Sequence, residues 1–297
     1  MPGSGVGVRA PPRQAVAEQS AWSVRVHRRH AVPALQPVRC RPPSSPASRH
    51  ERRCRQGRLS SVKPRRSTHR SPARFLGRVI EGAKPAPFPG FVDPCCPTPR
   101  KAPPAGEGWL HEIKHDGYRA QVQFSDGVRI FTRRGHDWAT RMPTIAAAVS
   151  ALPVNNVILD GELVAVDAKG QAVFYELPAG LTSRPTRVKA RLIYYPFDLL
   201  YLDGFDLRGA SLIDRKRVLE ALLDNARGLQ LLKYVDHIEG DGAMVLEHAC
   251  NLKLEGIVSK RADAPYRSGK RPEWIKTKCA AWREANRDRF EKMEKRR

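Results

Sequence analysis

Eight residues constrain this chain more than any others: Glu112-Ile113-Lys114-His115-Asp116-Gly117-Tyr118-Arg119. A lysine closes the apolar run Trp109–Ile113, an Asp-Gly turn follows, and an arginine stands five residues beyond the lysine. A strand followed by Asp-Gly is ordinary hairpin chemistry. A lysine at the strand's mouth with a cation close behind is less ordinary. A lysine is a nucleophile only when neutral, so its pKa must be lowered from about 10.4 by burial or by neighbouring cations. The same cations would hold a phosphate. Alone, the stretch serves equally well as a surface hairpin with a solvated lysine, so the rest of the chain has to decide.

Around this stretch the pattern is one of strands. Tyr118–Phe124 and Val128–Phe131 flank Ser125-Asp126-Gly127. Val157–Leu159 delivers Asp160-Gly161-Glu162 and continues through Val166. Arg191–Leu202 forms a long strand in which Pro196 predicts a bulge or an edge. Leu254–Lys260 and Trp274–Lys278 are the last strands. Helices are predicted over 143–152, over 211–225 with Ser211 as cap, and over 241–252 with Asp241 as cap. The apolar face of the second is Leu212, Val218, Leu219, Leu222 and Leu223. That of the third is Met244, Val245, His248, Ala249 and Leu252. Hairpin-linked strands with a few inserted helices predict an α+β fold with antiparallel sheets. Neither Gly-x-Gly-x-x-Gly nor a Gly-Lys-Ser/Thr phosphate loop is present, which removes the two commonest nucleotide fingerprints.

Charge divides the chain. Residues 1–84 hold 19 Lys and Arg against 3 acids, and residues 85–297 hold 34 against 27, within a formal net charge of +23. The first segment is rich in Arg, Pro and Ser without periodicity. It is predicted to be a disordered leader, because it buries too little apolar surface to offset ordering entropy. It reads as a basic arm for nucleic acid, as an inert tail, or as an extension upstream of the true start. Residues 85–108, rich in proline, are predicted to be an extended lead-in pinned by Phe88 and Phe91. Residues 85–280 form the main domain, and 281–297 a charged helical tail. The mildly basic domain suits a polyanionic partner. Cys40, Cys54, Cys95, Cys96, Cys250 and Cys279 lack Cys-x-x-Cys spacing and are expected to be unpaired thiols in a reducing compartment. No apolar run reaches the ~20 residues of a membrane span, and no secretory signal is visible.

Six segments in order then resemble one family: Lys114-x-Asp116-Gly117-x-Arg119, Arg134-Gly135, Asp160-Gly161-Glu162, Phe197-Asp198-Leu199-Leu200, Glu255–Lys260 and Trp274–Lys278. Together they are similar to the covalent nucleotidyltransferases, most of all to ATP-dependent DNA ligases of the bacterial ligase D type. The likeness covers about residues 91–285 and implies the ligase and mRNA-capping nucleotidyltransferase fold. It implies Lys114 as the nucleophile that carries AMP, and Glu112, Arg119, Arg134, Glu162, Phe197, Lys276 and Lys278 as nucleotide-binding residues. Glu112 would read the adenine amino group, Glu162 the ribose, and Phe197 would stack on the base. Arg119 and Arg134 would serve the phosphate of AMP or of a nick. Lys276 and Lys278, two apart on a strand, would share a face beside the α-phosphate. Glu255 would be the carboxylate on the metal side. ATP and Mg²⁺ (or Mn²⁺) are the implied cofactors, nicked double-stranded DNA and other end-joining repair proteins the implied partners, and the bacterial cytoplasm and nucleoid the implied location, with no role for a membrane. His111 and His115 are expected to be bystanders, apart from Lys114 or at the rim, and Asp116 to shape the turn.

The chain ends about twenty residues after Lys278, so the oligonucleotide-binding barrel carried by many such ligases is expected to be absent. Phe174-Tyr175-Glu176-Leu177-Pro178 stands where relatives have a Phe-x-x-Leu-Gln element. Two alternatives stay open: an RNA ligase or capping-type nucleotidyltransferase, and a relative that binds nicks or partners without sealing.

Overall fold

The computed structural model describes residues 80–168, 172, 191–225 and 230–287. Expectations for the leader before residue 80, for the Phe174–Pro178 element and for 288–297 lie outside the described residues. Two sheets make up the domain. The first orders its strands β1 (Lys84–Pro85), β8 (Phe205–Asp206), β7 (Arg191–Leu202), β6 (Val157–Val166), β4 (Tyr118–Phe124) and β5 (Val128–Thr132), antiparallel throughout. The second orders β2 (Cys95–Pro99), β11 (Gly269–Lys278), β10 (Gly256–Arg261), β3 (Trp109–Ile113) and β9 (His237–Glu239). Here only the β2–β11 pair is parallel. The Pro-rich lead-in therefore contributes an edge strand. Phe88 lies edge-on to Tyr201 and Phe91 packs on Phe131, as an anchoring role requires. The fold reaches back past residue 84, since Ile80 is buried and β1 pairs with β8.

Helices cover the outer faces. Helix α1 (Pro143–Ser150) and α2 (Leu212–Asn225) pack on the first sheet, where Val122, Ile130, Ile145, Leu159, Leu163 and Leu219 are sealed from solvent. Each such side chain contributes about 1.5–3 kcal/mol of burial. Ser211 caps α2 reciprocally with Asp214: the Asp214 N–H donates to Ser211 Oγ (3.3 Å), whose hydroxyl donates to Asp214 Oδ2 (2.6 Å). Helix α3 (Gly242–Asn251) is capped by Asp241, which accepts from the Ala243 N–H, and it lies on the second sheet through Val245, Ala249 and Ile257. Met244, His248 and Leu252, expected inward, are instead exposed, because the inward stripe is narrow and centred on Val245 and Ala249. The short helix α4 (Ala280–Ala285) begins the tail. Among the described residues no helix is long and apolar enough to cross a membrane.

One alternative falls away and one expectation is corrected. The Asp116-Gly117 turn does not close a hairpin, for β3 and β4 belong to different sheets. Each is a central strand with its own two neighbours, so the link between them is a crossing from sheet to sheet. Gly117 is pressed so closely on β6 that a Cβ there would lie 2.2 Å from the Leu163 carbonyl oxygen. The second concerns thiols: Cys250, at the end of α3, and Cys279, just after β11, are joined in a disulfide, with Cα atoms 5.4 Å apart. The β10–β11 hairpin brings these distant positions together, as the hydrogen bond from the Cys279 N–H to the Glu255 carbonyl records. Cys95 and Cys96 are free.

The bulge at Pro196 is present. Asp160 pairs with Asp198 and Gly161 with Pro196, leaving Phe197 as the extra residue on β7. A bulge re-aims the side chain it carries, and this one aims Phe197 into the space between the sheets.

Candidate active site

That space is a cavity of about 540 Å³. Its wall includes six Lys or Arg residues and only two glutamates, so its field favours an anion. Lys114 stands on the crossing between the sheets. Its N–H is tied to the Gly256 carbonyl (2.9 Å) and its Nζ donates to Glu255 Oε2 (2.7 Å). Lys278 Nζ meets the other oxygen, Oε1, at 2.8 Å, so one buried carboxylate bridges two ammonium groups. Gly256 makes this approach feasible: it holds φ at +146°, and a Cβ there would sit 2.1 Å from the Thr277 carbonyl oxygen. Lys276 points from the same side of β11 into the cavity. Burial, together with Lys114, Lys278 and Arg133, lowers its pKa below the usual lysine value. Burial lowers that of Lys278 as well.

From the first sheet come Glu162 and Arg119, neighbours in register across β6 and β4. Burial pushes Glu162 up to about 7, helped by the negative charges of Glu255 and Asp160 and opposed by Lys114 and Arg119. Arg119 grips Asp160 through both oxygens (Nε to Oδ1 3.0 Å, Nη2 to Oδ2 2.6 Å) and donates to the Cys95 carbonyl. Burial opposes its charge, but Asp160 more than offsets that and raises its pKa. Arg119 therefore reaches the cavity already neutralised. Phe197 meets Trp274 edge-on at 5.9 Å, and Lys260 Nζ lies 4.1 Å from the first ring centroid and 4.2 Å from the second. Glu112 is buried behind them, shared by Lys216 (2.7 Å) and Lys260 (2.5 Å). Burial alone would raise its pKa, but the two ammonium groups outweigh that and hold it below the usual carboxylate range.

Eight of the nine residues singled out in the sequence thus converge on the cavity or on the carboxylate behind Lys114. The exception is Arg134. Arg133 lines the wall and Arg134 does not, because successive residues entering a turn project in different directions. His115, expected to stand apart or at the rim, lines the wall too. It stacks on Tyr195 at 4.2 Å, and burial lowers its pKa to about 4, which leaves it neutral. His111 faces the other side, bonded to Ser259 Oγ at 2.8 Å. Four further cations went unread: Arg133, Lys260 and Lys270 on the wall, and Lys216 behind Glu112. The period-2 pattern of β10 puts Lys260 beside Val258. The helical stripe Leu212, Leu219, Leu222 has Arg215 and Lys216 in its middle, a sign of buried charge. Replacing Arg133 with Ala is expected to slow nucleotide-dependent labelling of the protein by about tenfold, whereas Arg134→Ala leaves it within about twofold; rates measured side by side with labelled ATP decide this.

A two-sheet domain that encloses a cationic cavity around one lysine is the class that fold and site define. The family model described as the ATP dependent DNA ligase domain matches residues 100–278, and the chain belongs to that family. It is 36% identical over 217 residues to the multifunctional non-homologous end joining protein LigD of Pseudomonas aeruginosa, which spans 73% of this chain and 25% of that one. With its counterpart from Mycobacterium tuberculosis, the multifunctional non-homologous end joining DNA repair protein LigD, it shares 38% over 174 residues, or 57% of this chain and 21% of the relative. The chain therefore spans about a quarter or less of these relatives. Among solved structures, mycobacterial DNA ligase D complexed with ATP and MES superposes with a TM-score of 0.53 at 32% identity, covering 63% of this chain and 60% of that one.

Proposed function

We propose that this domain is the adenylation module of an ATP-dependent DNA ligase that seals 5′-phosphate/3′-hydroxyl nicks, in the setting of end joining and inside the bacterial cytoplasm. The observation that carries the reading is the convergence of Lys114, Glu162 and Lys276 on one cation-rich cavity, with Glu255 bonded to the lysine amine. Lys114 Nζ attacks the α-phosphorus of ATP. An N–P bond forms, the bridging P–O bond to the β-phosphate breaks, and pyrophosphate leaves. The proton released from Nζ has Glu255 Oε2 within 2.7 Å. Lys276, Lys278 and Arg133 balance the charge that develops on the phosphoryl oxygens. Phe197 and Val258 form the walls for the base, Glu112 and Lys260 face its edge, and Glu162 accepts from the ribose hydroxyls. The AMP then passes to the 5′-phosphate of nicked duplex DNA, and the 3′-hydroxyl displaces it.

Among the described residues no group of three His, Cys, Asp or Glu side chains forms a metal cluster. One carboxylate beside phosphate oxygens nonetheless fits Mg²⁺ or Mn²⁺, since these ions keep waters and share ligands with nucleotides. Glu255 is the residue that would hold the ion, which would supply neutralising charge at the α-phosphate.

Mass spectrometry of the purified protein incubated with ATP is the test: an added AMP mapped to Lys114 is the expected result, and no adduct at any lysine rejects the reading. A pH dependence follows from Glu162. Below about pH 7 its carboxyl is protonated and can accept less from the ribose; above, it is ionised and accepts from both hydroxyls. Half-saturating ATP is expected to fall several-fold as pH rises through 7, and Glu162→Gln to flatten that step. A step that persists in the variant assigns the titration elsewhere.

A further inference from the structure

Helix α2 carries two consecutive cations, Arg215 and Lys216, whose side chains are wholly buried. Arg215 reaches Asp198, next to Phe197. Lys216 reaches Glu112 at 2.7 Å and the Val235 carbonyl at 2.9 Å, and lies 4.6 Å from the Tyr234 ring centroid. Two of its three donors are used in these hydrogen bonds, and it is not part of the cavity wall. On the far oxygen of Glu112, Lys260 is held at 2.5 Å, yet its buried Nζ makes no well-directed hydrogen bond among the described residues. That nitrogen lies over the two rings that line the cavity.

We propose that Lys216 is a positioning residue: acting through Glu112, it fixes Lys260 at the base end of the cavity and so sets how tightly and how selectively the nucleotide base is held. The inference rests on the adenylation reading and deepens it.

Two ammonium groups on one carboxylate leave an excess positive charge in the interior. Buried ion networks are costly, and apolar replacements of similar volume are often neutral or stabilising. A role in stability alone therefore accounts poorly for the arrangement. The spare donor capacity sits on Lys260, the one member that faces the cavity along with Glu112, so it is available to an acceptor on the edge of a bound heteroaromatic ring. Lys216 lies outside the cavity wall and so does not meet a ligand itself. Its effect is to occupy Glu112 Oε1 and keep the carboxylate ionised and oriented, so that Oε2 holds Lys260 in place. The groups facing Glu112 are Lys216 from α2, Lys260 from β10, Tyr234 from the run before β9, His237 from β9 and His115 from its own segment. Burial keeps both histidines neutral at neutral pH.

The experiment is single-turnover self-adenylation of the full chain with labelled ATP, comparing wild type with Lys216→Met at about pH 6 and about pH 8. In the variant, half-saturating ATP is expected to rise about tenfold while the maximal rate stays within about threefold. Preference for ATP over GTP falls. The ratio of variant to wild-type half-saturation grows toward acid, because Glu112 keeps only one ammonium to hold it ionised. Glu162 titrates in both proteins and cancels in the ratio. Unchanged half-saturation at both pH values, or a loss confined to the maximal rate, overturns the inference. If K216M does not fold by circular dichroism, Glu112→Gln replaces it: a comparable loss that is flat with pH supports the proposal, and unchanged half-saturation overturns it. A wild type that takes up no label from ATP defeats the ligase reading itself and this inference with it, which separates the two failures.

Discussion

Lys114→Ala protein incubated with α-labelled ATP is expected to carry no covalent label, a loss of at least ~10³-fold relative to the unaltered chain. The cause is chemical and direct: the nitrogen that would form the N–P bond is gone, and no other amine is placed the same way. Lys276 and Lys278 are near, but Lys278 is held on Glu255 Oε1, and Lys276 points from β11 rather than from the crossing between the sheets. The change spares the fold, because Glu255 keeps Lys278 as partner when Lys114 is removed. Circular dichroism of the variant should therefore match wild type. Lys114→Arg is the sharper control, since it retains a cation beside Glu255 but offers a guanidinium that is not deprotonated in proteins. It too should stay unlabelled. Label persisting in either variant at more than a few per cent of the wild-type rate would move the nucleophile elsewhere.

The second large effect is one of stability. Asp198 and Arg215 are both completely sealed from solvent and joined through two hydrogen bonds, at 2.7 and 2.9 Å. Asp198→Ala strands the guanidinium. Two carbonyls, of Ala210 and Ala264, still accept from it, but no negative charge is left to balance it there. Breaking one side of a buried pair costs about 3–5 kcal/mol, a large part of the ~5–15 kcal/mol that holds a domain together. Thermal unfolding is expected to drop by roughly 10 °C for a domain of this size. A drop of only one or two degrees would mean that the guanidinium finds water or another anion. Asp198→Ala also frees the bulge that aims Phe197, so nucleotide binding is expected to weaken in whatever fraction stays folded.

Much of this was readable in the sequence wherever one residue type had one physical use. Trp274, Lys276 and Lys278 fall on one face because a strand repeats every two residues, and Pro196 marked its bulge because it cannot donate to a ladder. Ser211 and Asp241 capped their helices because their oxygens accept from first-turn N–H groups. The failures share a cause as well. Asp116-Gly117 looks the same in a hairpin as in a crossing between sheets, since the turn is local and the strands' partners are not. Cys250 and Cys279 gave no sign of pairing because their nearness is made by a hairpin folded between them. Arg133 and Arg134 could not be told apart, for the direction of a side chain entering a turn depends on backbone angles that neighbouring identical residues do not reveal. Lys216 was hidden for a different reason: its place in the helical stripe signals burial, but not the partner, here 104 residues away, that gives the burial its use.

The crossing at Lys114 has a mechanical consequence. Each sheet is laced internally by hydrogen bonds and is stiff. Between them lie an apolar cluster of Val92, Ile158, Leu200, Tyr201, Tyr266 and Trp274 on one side and the polar cavity on the other, and among the described residues backbone hydrogen bonds tie them only through connecting segments, from Val235 to Pro196, Ile213 to Ala262 and Tyr266 to Arg208. The width of the cleft is thus set by side chains and connecting segments rather than by a shared ladder, with the nucleophile mounted on one of the links that join the sheets. A tilt of one sheet against the other would leave every ladder intact and would carry the amine with it.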